Sequence, residues 1–394
     1  MPTPTAERAP ASDAWGQTPR PSPSLPMTAG MPPPSVEKGS LLIIRQFDIA
    51  DEINLEKARS LQLSERHVLT RPRATALLLS NPPLTISLGQ RTLELGGKPI
   101  EVEVQARAFD FGAISVRFRL PLARGLSWAD LTNVTRLAQA EESLTRVARE
   151  VATDIGQRLS QAITGRHDNP LYEDYAIVFV EQFAGISTPQ ALPLDAIARL
   201  LLGEPETAAL SSGEVDEATR RRSSYFGDDL CVTGWNMALV VEPTGDTDPI
   251  DVLELANAQL LELRIYDAVL DRELGRLYDE VGRRRGRTIN LTRNYGPVLR
   301  RAMVLLLEIA EFIERVENSL KIIGDVYLAR LYASAVETLR IPSWEQAVTR
   351  KQALVQQVYD VLKSEVDTRR GQIMEIIVIL LILGELVQAL HIAF

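Results

Sequence analysis

Nine consecutive residues near the C-terminus, Ile376 to Gly384, carry no polar side chain (Ile-Ile-Val-Ile-Leu-Leu-Ile-Leu-Gly). In a helix such a run has no face suited to water, so something apolar must surround it. About 20 predominantly apolar residues of helix cross a hydrocarbon core, and Ile373 to Phe394 supply a segment of that order. Arg369 and Arg370 immediately precede it, and an arginine pair at one flank marks the side that stays cytoplasmic. The sequence therefore predicts a membrane anchor built on Ile376, Ile377, Val378, Ile379, Leu380, Leu381, Ile382 and Leu383.

The rest of the chain is ordinary in bulk. Of 394 residues, 45% are hydrophobic and 24% charged, enough for several buried cores. A net charge of -9 argues against a general nucleic-acid binder and predicts no specific nucleic-acid site. Cys231 is the only cysteine, which excludes an intrachain disulfide and points to a reducing compartment. His67, His167 and His391 are far apart in sequence, so no metal site and no cofactor are expected. No apolar stretch follows Met1, which excludes a secretory signal. These absences predict a bacterial protein at the inner membrane, held by a single-pass C-terminal anchor with its bulk in the cytoplasm.

Residues 1–40 hold ten of the 23 prolines and read as a disordered segment. Apolar runs or alternation at Leu41–Ile44, Ala76–Leu79, Ile100–Arg107 and Ile114–Leu120 predict strands, with a short helix within Asp51–Gln62 and a hairpin turn at Gly96-Gly97. Trp128–Ile163 reads as one long helix. A second cycle follows: strand Tyr175–Phe183, helix Leu194–Leu202, one or two strands in Leu230–Val241, and a long helix Pro249–Val281. Short echoes, such as Ile44-Arg45-Gln46-Phe47 against Val180-Glu181-Gln182-Phe183, suggest duplication. The predicted fold class is α+β: two related α+β units (41–168 and 169–283), then a long antiparallel helical hairpin (284–370) and a C-terminal hydrophobic helix (371–394).

Ile341-Pro342 interrupts the helical periodicity, and Ser343 with Gln346 reads as a capping box for the next helix. A turn there brings Ala302–Leu307 beside residues near 376–381. This supports an alternative in which the C-terminal helix is buried in a soluble oligomeric coiled-coil protein. Glu375 and Glu385 favour that alternative, because charge is costly inside a bilayer.

Two polar clusters stand out. Helix 249–281 carries Glu254, Glu262, Arg264, Asp267, Asp271 and Glu273, with Asp267 interrupting a leucine seam. A structural ion pair of Arg264 with Asp267 is the expectation. The enzymatic alternative is a hydrolase or nuclease using Glu262, Asp267 and Asp271. Residues 281–301 hold seven arginines and no acid. Arg283, Arg284, Arg285, Arg287, Arg300 and Arg301, with Arg369 and Arg370, are expected to contact membrane lipid headgroups or other phosphates.

Gly324-Asp325-Val326-Tyr327, the helix Ser343–Asp367, Arg369-Arg370 and the glutamate-bracketed run Glu375 to Glu385 resemble the C-terminal end of the "required for meiotic nuclear division" (RMD1/YagE-like) family. Tyr175–Phe179, Asp229-Leu230 and Leu261–Asp267 extend the likeness over about residues 170–390. The resemblance implies a bacterial member of a family whose eukaryotic relatives sit in the mitochondrial inner membrane and support organellar translation. It supplies no catalytic residues. The sequence thus predicts a membrane-tethered, non-enzymatic scaffold or adaptor, homo-oligomeric through its helical hairpin, with a protein or ribosome partner.

Overall fold

Leu41, Ile43 and Phe47 of strand β1 (Ser35–Asp48) point into one hydrophobic core, and Leu42 and Ile44 point into another. A strand buried on both faces needs no polar alternation, which accounts for the run Leu-Leu-Ile-Ile. The computed structural model describes residues 34–61, 81–282 except 168 and 170, 296, 299–307, 309–310 and 326–393. The expected strand at Ala76–Leu79 lies outside the described residues. Most of the proline-rich segment does too, but β1 begins at Ser35, six residues before the expected start. Val36 draws the chain into order there: it is fully buried and pairs with Phe183 and Leu126.

β2 (Glu52–Ile53), β3 (Leu84–Leu95), β4 (Lys98–Ala108), β5 (Ala113–Pro121), β6 (Leu126–Ser127), β7 (Ile163–Thr164), β8 (Tyr172–Ala184), β9 (Arg222–Ser223), β10 (Leu230–Thr233) and β11 (Met237–Val241) complete the strands of the described residues. One large sheet runs β3-β4-β5-β1-β8-β11-β10-β9, with β6 beside β1 and with β2 and β7 forming a separate ribbon. Its pairings are antiparallel except β8 with β11. The two expected α+β units share this sheet, because β1 of the first pairs along β8 of the second.

Helices α1 (Leu55–Ser60), α2 (Trp128–Ala140), α3 (Glu142–Arg158) and α4 (Leu194–Leu202) contribute to the core on one face, and α5 (Ser212–Ala218) follows α4. On the other face lie α6 (Asp248–Gly282), α7 (Val326–Thr338) and the first half of α8 (Ile341–Ala393). The fold is α+β, a large sheet followed by helices and closed by a helical hairpin. The single helix expected over Trp128–Ile163 is divided at Glu141, whose side chain accepts from Ser143 N. Fully buried Arg45 reaches this break and donates to Gln139 O at 2.8 Å and to Thr145 Oγ1 at 3.0 Å. Its guanidinium serves backbone carbonyls that a helix end leaves open.

α7 and α8 turn at Leu339 and Arg340, where Arg340 has φ of 51°. Pro342 sits in the first turn of α8, where its missing N–H costs nothing. Ser343 therefore lies within the helix rather than capping it. α8 runs parallel to α6: Gln259 meets Glu345, and Asp267 meets Lys351 further along. Leu306, expected near residue 377, instead accepts from Gln352 Nε2 at 3.4 Å.

The expected transmembrane anchor is overturned. Among the described residues, no helix is long and apolar enough to cross a membrane. The uninterrupted apolar run lasts only from Ile376 to Gly384 between Glu375 and Glu385, or about 13 Å of helix at 1.5 Å per residue, against about 30 Å of hydrocarbon. The membrane character and the inner-membrane location predicted for the chain go with it. Nor does 302–307 cover the run. Every residue from Ile376 to Leu383 is 45–64% exposed, and beyond Val366 no described residue joins either core.

Candidate functional site

α6 is the element around which the charged groups gather, because it lies across the sheet face that carries polar residues. Arg107 of β4 and Ser115 and Arg117 of β5 project from that face. Arg107 Nη1 and Arg117 Nη2 each reach Glu254 Oε2 at 2.5 Å, and Ser115 Oγ donates to Glu254 Oε1 at 2.5 Å. Asp251 Oδ1 takes the same two guanidiniums at 2.7 and 2.9 Å. Glu254 is fully buried. Burial alone raises a carboxyl group, but Arg117 and Arg107 outweigh it and hold Glu254 below the usual range. This network clamps α6 to the sheet.

A cavity of about 320 Å³ opens between the end of β1 and α6. Asp48, the last residue of β1, is 3% exposed. Its Oδ2 lies 2.7 Å from His167 Nε2, and its Oδ1 has no hydrogen-bond partner. His167 Nδ1 lies 3.0 Å from Gly165 O and 3.3 Å from Asp51 Oδ1. Glu262, Tyr266 and Arg272 of α6 face the same space.

The loop that carries these carboxylates is stitched on both sides. Ile49 N donates to Gly112 O, Asp51 N to Thr164 O, Ile53 N to Asp110 O, and His167 N to Ile49 O. Two glycines permit that closeness. A Cβ at Gly112 would lie 1.7 Å from Ala50 O, and one at Gly165 1.6 Å from Asp51 Oδ2, both at positive φ. Gly112→Ala is therefore expected to destabilise the fold by about 3 kcal/mol, combining left-handed backbone cost with overpacking. Gly125→Ala, at φ +75° in open space, should cost about 1 kcal/mol. Denaturant titration of both variants checks the contrast.

Burial pulls the His167 imidazole down, but the hydrogen bond and charge of Asp48, with Gly165 O and Asp51, raise it to about 8 from 6.5. Burial raises the Asp51 carboxyl, and His167 opposes this. A raised histidine stabilises fully below its unfolded value and loses that contribution as pH climbs through its folded value. Wild type is thus expected to exceed His167→Gln in stability by about 1 kcal/mol near pH 6, after discounting for a partly exposed ring. The gap should close by about pH 9, as read from thermal midpoints across pH.

The other expected sites are arranged differently from the prediction. Arg264 pairs with Glu173 on β8, and Asp267 Oδ1 pairs with Lys351 Nζ of α8 at 2.7 Å. Asp271 joins the same ammonium at 2.6 Å. Three-residue spacing puts Arg264 and Asp267 near each other on α6, yet each is drawn to a different neighbouring element, so their expected pair does not form. The supposed acidic centre is split, with Asp267 and Asp271 on Lys351 and Glu262 at the cavity. Arg283, Arg284, Arg285 and Arg287 lie outside the described residues. Arg300 and Arg301 are exposed on the helical stretch 299–307, and Arg369 and Arg370 fall within α8. The lipid-headgroup role expected for these arginines loses its basis with the anchor.

Asp48, Asp51 and His167 were not legible as a site, since over a hundred residues separate the histidine from its carboxylates. Gly165, two residues before His167, was the available local signal. Among the described residues, no group of three or more His, Cys, Asp and Glu side chains is arranged to hold a metal ion.

Residues 38–247 match the family described as "Uncharacterized protein MJ0711, N-terminal domain". Over 184 residues the chain is 23% identical to "Uncharacterized protein MJ0711" of Methanocaldococcus jannaschii, covering 45% of this chain and 53% of that protein. The chain thus spans about half the length of that curated relative. No solved structure matches it significantly.

Proposed function

This chain belongs to the family of the MJ0711 N-terminal domain, and from that footing we propose that it is a self-assembling, non-enzymatic scaffold. Copies join through the second half of α8, and the α+β body holds a protein partner. One observation carries this reading: the half-exposed aliphatic run Ile376 to Leu383, which no part of its own chain among the described residues covers. Eight adjacent side chains of this kind rival or exceed the few hundred Å² of apolar patch that monomers leave in water. Successive residues turn about 100° around the axis, so the run is apolar all round. A single neighbour leaves part of it wet, and the assembly therefore brings two or more helices of other copies against each one.

The separation of Glu262 from Asp267 and Asp271 weighs against the hydrolase alternative. The likeness of residues 170–390 to the meiotic-nuclear-division family makes translation machinery the partner class of choice. Light scattering on the full chain and on a chain ending at Arg370 tests the assembly. The full chain is expected at three or more copies and the shortened one at one copy; equal masses would refute the role of α8.

A further inference from the structure

We propose that the cavity between the Asp48–Asp51 loop and α6 binds a small organic cation, a primary ammonium on an apolar stem. This goes beyond the scaffold reading and does not depend on it. The space, about 320 Å³, lies at the small end of ligand pockets. Asp48 is the central observation. It is buried, it lines the cavity, and only one of its two oxygens is hydrogen-bonded. A buried carboxylate oxygen left without a donor is costly, and a ligand N–H supplies one.

Charge points the same way. Asp48, Asp51 and Glu262 line the cavity against His167 and Arg272. Both nitrogens of His167 are already engaged by Asp48, Gly165 O and Asp51, and Arg272 Nε turns back to Ala268 O. The cations present are thus occupied, and carboxylate charge is left over. Ile265, Val269 and Leu305 form the opposite wall, which suits a hydrocarbon stem and not a hydrated metal ion. No three ligating groups converge here as a metal requires among the described residues. The stitched loop keeps the carboxylates in place before a ligand arrives, which lowers the ordering cost of binding.

Isothermal titration of the full chain with butylamine, phenethylamine and 1,4-diaminobutane tests this, with 2-phenylethanol and calcium chloride as comparisons. At least one amine is expected to bind saturably, and phenylethanol at least tenfold more weakly than phenethylamine. Asp48→Asn should weaken the amine at least tenfold, while Asp271→Asn, whose carboxylate sits on Lys351, should leave it unchanged. Should Asp48→Asn fail to fold, Val269→Trp, which fills the apolar wall, must abolish binding instead. The proposal is overturned if no amine saturates, if the alcohol binds equally well, if calcium takes the site in an Asp48-dependent way, or if the folded cavity variant binds as wild type does.

Discussion

Glu254→Ala is expected to lower the stability of the fold by about 3–5 kcal/mol, the cost of removing one partner from a buried ion network. Arg107 and Arg117 are 7% and 9% exposed, and without Glu254 they retain only Asp251, which is partly open to solvent. Ser115 Oγ loses its acceptor at the same time. Glu254→Gln keeps the volume and that hydroxyl contact, so it should fall between wild type and alanine. Replacing Arg107, Arg117 and Glu254 together by apolar residues of similar size should cost much less than Glu254→Ala, because no unpaired charge is left behind. Chemical denaturation of the three proteins gives the ordering, and a harmless Glu254→Ala would refute the network as a clamp. The acid limb follows the same logic. Glu254 is held below 4.5 in the fold, so its contribution is complete above that pH and is lost as pH falls through the depressed value.

Leu380→Lys is expected to dissociate the assembly. Leu380 is 62% exposed in the isolated chain, so the lysine is harmless there. Within a bundle it replaces about 2 kcal/mol of apolar burial with a desolvated charge, and several copies suffer at once. The association constant should fall at least 100-fold, read as a shift to monomer mass in sedimentation. Val326→Lys, at a position 73% exposed on α7, should leave the mass unchanged. Neither residue belongs to a core, so both variants should keep the wild-type unfolding midpoint once monomeric. A Leu380→Lys protein that assembles like wild type would remove α8 as the joining element.

Where local pattern and tertiary environment agree, the sequence was readable. α4 falls on Leu194–Leu202 as expected, and Gly96-Gly97 joins β3 to β4 as a two-residue turn. The alternation in β4 and β5 separates the two faces as period two requires. The errors share a different character. A helix from Trp128 to Ile163 is continuous by propensity, and it breaks because Arg45, far away in sequence, takes the carbonyl of Gln139. Arg264 and Asp267 have the spacing of a helical pair, and each finds its partner on another element. The glycines at 112 and 165 read as turn residues, yet their role is to let the Asp48–Asp51 loop press against the backbone.

The sequence by itself determined the elements: helix and strand follow from hydrophobic period and turn chemistry, which act between residues a few positions apart. It also determined that Ile376 to Leu383 need an apolar surrounding, since no arrangement of one helix can hide a run that is greasy on every side. Only the tertiary structure decided that both α+β units lie in one sheet, that α6 is held by Glu254, and that Asp48 meets His167 at a cavity. Those outcomes depend on contacts between residues more than a hundred positions apart, whose energies reside in burial and charge pairing that no local pattern encodes.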